Sequence, residues 1–95
     1  MTATHTSVAL PAVLMQEQAQ AIADQLAPLL SACVSQGGEA ELDASKLRQF
    51  DSSAFAVILA CRRAVLARGA RLRIIGLPPQ AQSLAQVYGL SELLS

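Results

Sequence analysis

Aromatic side chains are scarce in this 95-residue chain: two Phe, one Tyr and no Trp. Proteins that grip single-stranded nucleic acid stack bases on such rings, so that class of binder is not expected. Histidine is nearly missing too. His5 stands alone, in a leading segment (residues 1–6) where disorder is expected. A Ser–His or Cys–His nucleophile pair would need that segment to fold back over the domain. Cys33 and Cys61 lie in apolar, helix-like settings with no CxxC and no neighbouring histidine. Both are expected to be buried thiols rather than a disulfide or a metal site. The GxxxxGKS/T, GxGxxG and HExxH patterns are absent, as is an acidic cluster suited to calcium or magnesium. No catalytic residue, metal or cofactor is therefore expected.

Long apolar runs are also lacking. A membrane span needs about 18 consecutive apolar residues, and the stretch Gln25–Gly38 is broken by Pro28, Ser31, Ser35 and Gln36. Met1–Ser7 holds no basic residue and no long apolar stretch follows it, so no secretory signal is read and a cytoplasmic location is expected.

What is present is apolar aliphatic surface. Hydrophobic residues reach 53% against 15% charged, enough to offset the ordering entropy of one small domain spanning residues 1–95. Net charge is zero but unevenly spread: residues 1–43 carry five acidic groups and no Lys or Arg, while residues 44–95 carry all seven basic groups. Two faces of opposite sign would suit a polar partner. Sequence halves seldom map onto faces, however, so mixing of the charges in space is the expectation.

The chain reads as alternating strands and helices. Thr6–Leu10 is a strand closed by Pro11. Ile22, Leu26, Leu29, Leu30 and Cys33 line one face of a helix over Gln16–Gln36, which Pro28 is expected to kink or break near Asp24–Ala27. Glu39–Ala44 alternates acidic and apolar residues as a strand does, with the three carboxylates outward. Ser45–Phe50 reads as a loop. Ala54–Arg68 is the most apolar helix, with Val57, Ile58, Cys61, Val65 and Leu66 inward. Arg71–Ile75 is a further strand, and Leu77, Ala81, Leu84, Ala85 and Tyr88 repeat at helical spacing before a terminal turn of Leu90, Leu93 and Leu94. This order predicts an α/β fold with a mainly parallel sheet of about three or four strands and helices packed against it.

One segment stands out. Asp51-Ser52-Ser53-Ala54-Phe55 follows a strand and opens the most apolar helix. Small polar residues at a helix start first serve as caps, accepting backbone N–H groups that the helix leaves unpaired. Beyond capping, a hydroxyl here would stand at the positive end of a helix dipole, where a partner or a phosphate is well placed.

The run ELDASKLRQFDSSAF (residues 41–55), the basic helix after it and Arg71–Gly76 resemble the core of a STAS domain. The likeness extends over about Val8–Leu94. The family's Asp-Ser/Thr-x-Gly turn is matched by Asp51-Ser52-Ser53-Ala54, with Ala54 in place of Gly. Ala12 likewise replaces a common Gly, and Phe55 is bulkier than the usual Leu. Within the family, the ending LAQVYGLSELL (residues 84–94) and a short N-terminus without the usual first strand are similar to MlaB-type proteins. That resemblance implies a non-catalytic cytoplasmic subunit, peripheral to the inner membrane, which binds the ATPase of an ABC transporter moving phospholipid. Asp51, Ser52, Ser53, Ala54 and Phe55 would form the docking patch, helped by the flank of the Ala54–Arg68 helix and by Gln82, Gln86 and Tyr88. The ring of Tyr88 is expected in the core. The alternative carried by the same resemblance is an anti-sigma-factor antagonist, phosphorylated at Ser53 or Ser52 by a kinase. The methyl of Ala54 is then expected to limit how closely a kinase or partner approaches.

Overall fold

The computed structural model describes residues 5–91. In chain order the elements are β1 (His5–Ala9), β2 (Val13–Leu14), α1 (Gln16–Cys33), β3 (Glu39–Asp43), β4 (Gln49–Phe50), α2 (Ser53–Ala67), β5 (Arg71–Ile75) and α3 (Pro79–Val87). The long strands form one parallel sheet in the order β1-β3-β5, and the short strands β2 and β4 form a second, also parallel. The fold is α/β with a three-stranded parallel sheet, as expected, and among the described residues the short β2–β4 pair is an addition to it. Helices α1 and α2 pack on each other and over one face of the larger sheet.

Alternation along β3 decides which face that is. Ala40 and Leu42 are fully buried under the helices, whereas Glu39, Glu41 and Asp43 are half-buried on the other side. Leu72 and Ile74 of β5 join the core, leaving Arg71 and Arg73 exposed. In register, Glu39 lies beside Arg71 and Glu41 beside Arg73. The acidic and basic halves of the chain thus interleave on adjacent strands, where opposite charges are favourable neighbours.

The core is aliphatic: Leu10, Leu14, Leu30, Leu42, Val57, Ile58, Cys61 and Val65 are each at most 1% exposed. Burying a side chain of the Val, Leu or Ile class contributes roughly 1.5–3 kcal/mol. Such contributions are what hold a three-strand sheet together.

Several expectations are corrected. Helix α1 runs unbroken through Pro28. Asp24 and Pro28 both lie on its solvent side, where the carbonyl that the missing N–H leaves without its helical donor need not be buried. Leu29 and Leu66 are 44% exposed, each standing beside the buried stripe of its helix rather than in it. Cys61 is buried, but Cys33 is exposed. Cys33 is the last residue of α1, and the extended backbone of Val34 turns the valine into the core in its place. His5 belongs to β1, one residue ahead of the expected strand start at Thr6. Of the terminal turn, Leu90 packs against the core, while Leu93 and Leu94 lie outside the described residues.

Candidate functional site

The site is built around Asp51, which closes the corner where β4 passes into α2. One carboxylate oxygen, Oδ1, accepts the backbone N–H of Ser53 at 2.8 Å, and the other, Oδ2, accepts that of Gln16 at 3.1 Å. The first bond anchors the start of α2 from the residue before its cap position, Ser52, with Ala54 N–H also donating to the Asp51 carbonyl at 3.0 Å. The second serves α1, whose own cap position is Met15, a side chain with no oxygen to offer. The rest of that helix start is met locally, the Gln18 side-chain oxygen accepting Met15 N–H at 3.0 Å. One carboxylate therefore joins the positive ends of two helices. The Ser53 N–H holds its carboxyl below the usual range, aided by the Gln16 N–H and the Ser53 side chain, against a smaller opposing effect of desolvation.

Capping by Asp51 leaves the serines other roles. Ser52 is exposed, and its side chain makes no cap bond. Ser53 is half-buried, with its N–H and its side chain both directed to Asp51. Ala54 and Phe55 are only 1% and 3% exposed. Their side chains are turned into the core, so they support the corner from beneath. The methyl of Ala54 fills core space and does not face an approaching partner.

The last helix contributes differently from expectation. Tyr88 is 53% exposed, not a core ring, and meets Phe55 edge-on with ring centroids 6.2 Å apart. It caps the buried Phe55 at the surface. Gln82 and Gln86 lie on the flank of α3 that lines a cavity with Ile74 and Gly76, and Gln82 donates to the Leu77 carbonyl at 2.8 Å. They are not brought to the Asp51 corner. The opposite flank of α3, with Gln80, Ser83, Leu84 and Val87, faces an open groove of about 680 Å³ whose other wall is Met15, Arg48, Gln49 and Phe50. Met15 and Phe50 directly precede Gln16 and Asp51, so the groove runs up to the corner. Val87, 79% exposed, is a surface apolar group that the sequence pattern did not single out, because helical spacing places it neither on the apolar stripe nor in a motif.

Among the described residues no group of three His, Cys, Asp or Glu side chains could hold a metal ion. No helix among them is long and apolar enough to cross a membrane.

The sequence matches the family described as "Mlab, STAS domain" over residues 1–95. The chain belongs to the STAS-domain family. A solved structure, the sulfate transporter family protein from Wolinella succinogenes, superposes with a TM-score of 0.75 at 14% identity, covering 99% of this chain and 74% of that one. Likeness at that identity concerns the fold. No curated protein matches the sequence. In this STAS domain the family's Asp-Ser turn is the Asp51–Ser52 corner itself, with the aspartate facing inward to both helices and the serine facing outward.

Proposed function

We propose that this STAS domain is a non-catalytic subunit that docks on the ATPase of an ABC-type phospholipid transporter maintaining outer-membrane lipid asymmetry. It would be held at the cytoplasmic side of the inner membrane through that partner. The observation that carries the reading is the exposure of Ser52 at a corner where Asp51 already accepts the Ser53 and Gln16 N–H groups. A hydroxyl relieved of capping is available to a partner's polar group, and a rigid corner loses little entropy when it is gripped. The family description supports the same direction. Ser52, Ser53 and Asp51 supply the polar part of the patch, with Tyr88 and Val87 as neighbouring apolar surface.

The reading as a phosphorylation switch has less support. Ser53 is half-buried and engaged with Asp51, so a phosphate there would bring about −1.5 to −2 charge against a carboxylate already in place. The test is capture from native extract of a host that encodes the chain, with the bound proteins identified by mass spectrometry. Recovery of an ABC ATPase is expected. Recovery of a sigma-regulating kinase without the ATPase would contradict the reading.

A further inference from the structure

We propose that the outer edge of β5 is a docking site for an extended protein segment that alternates acidic and aliphatic residues. The edge is open among the described residues. Arg71 N–H donates to the Gly38 carbonyl at 3.0 Å and the Ile75 carbonyl accepts Ala44 N–H at 2.8 Å. Backbone groups alternate sides along a strand, so Arg71, Arg73 and Ile75 turn theirs toward β3 while Leu72 and Ile74 turn theirs away. β5 ends the sheet, and the N–H and C=O of Leu72 and Ile74 make no hydrogen bond with any described residue. Such an edge is a template for a further strand.

Charge and shape say what that strand would be. On its inner edge β5 already pairs with Glu39-Ala40-Glu41-Leu42, acids beside Arg71 and Arg73 and aliphatics beside Leu72 and Ile74. Arg71 and Arg73 are exposed, within reach of a strand on the outer side as well. On the helix side, a cavity of about 360 Å³ lined by Ile74, Gly76, Leu77, Gln82, Ala85 and Gln86 stands ready for an aliphatic side chain of the added strand. Main-chain bonds would give affinity, and the arginines and the cavity would give selectivity. A second copy of this chain fits less well. β5 against β5 sets arginine near arginine, and the described outer positions of β1, Ser7 and Ala9, offer no acid. The site shares no residue with the Asp51 corner.

The probes are two seven-residue capped peptides, one alternating Glu with Val and one alternating Lys with Val, titrated into the labelled full chain and followed by amide NMR. The Glu–Val peptide is expected to slow hydrogen exchange at Leu72 and Ile74 at least tenfold, and to bind roughly tenfold more tightly than the Lys–Val peptide. Arg71→Glu with Arg73→Glu should invert that preference. Should the double variant fail to fold, the comparison of the two peptides on the unmodified chain decides alone. Equal binding of both peptides, or no protection at Leu72 and Ile74, would overturn the proposal and leave the arginines as guards against strand pairing. Protection of the same amides by self-association, without peptide, would overturn it in favour of a second copy.

Discussion

Asp51 Oδ2 accepts the backbone N–H of Gln16, 35 positions earlier in the chain, at 3.1 Å. That bond makes the start of α1 depend on a residue whose other oxygen caps α2. Neither helix is anchored at this corner without the other. The polar surface presented by Ser52 is therefore a property of two helices together.

Removing the carboxylate should be felt by both. Asp51→Ala is expected to lower the thermal midpoint at neutral pH more than Asp51→Asn, because the amide carbonyl can still accept one of the two bonds. The pH dependence has a definite sign. The folded-state pKa lies below the ordinary 3.8, so the carboxylate's contribution is complete above that value and is lost as pH falls through the lower folded value. Melting curves of wild type and Asp51→Ala should accordingly differ at pH 7 and converge in strong acid. A difference that persists unchanged into strong acid would assign the effect to packing.

Gly76 supplies a second test, of the turn between β5 and α3. Its φ is +69°, and a Cβ there would come within 2.8 Å of the Ser45 Cβ. Gly89 has a similar φ of +71° with open space around it. Gly89→Ala should cost about 1–2 kcal/mol from backbone conformation alone. Gly76→Ala should cost more, by steric overlap, and adding Ser45→Gly should recover part of that excess. Denaturant midpoints of the three variants measure the order directly.

The cysteines should separate chemically. Burial pushes the Cys61 thiol up to about 11, while Cys33 is exposed. At pH 8 a thiol-specific disulfide reagent should label Cys33 quickly and Cys61 only on unfolding. Rapid labelling of both in the folded protein would contradict the burial of Cys61.

The same residues show what was legible in the sequence. The three long strands and three helices follow from periodicity alone, because Ala40 and Leu42 or Val57, Ile58 and Cys61 repeat at the spacing their elements require. Strands β2 and β4 were not legible: at two residues each they are too short to show alternation, and they exist because Val13 and Leu14 pair with Gln49 and Phe50 across the fold. The site was located by its small polar residues at a helix start, yet the division of labour within it was hidden. A serine and an aspartate are equally good caps in sequence, and only the fold shows that Asp51 holds the start of α2 while also meeting Gln16, 35 positions away. Tyr88 was misread for a related reason. Its spacing fits the buried face of α3, but it lies at the helix end, where its ring closes over Phe55 from outside.

The most direct test of the central claim is the affinity of purified Ser52→Arg for the purified ABC ATPase, measured by calorimetry beside the wild-type chain. Ser52 is exposed and caps nothing, so the variant should melt as wild type does while its binding is lost. Native affinity in a folded Ser52→Arg would contradict the account.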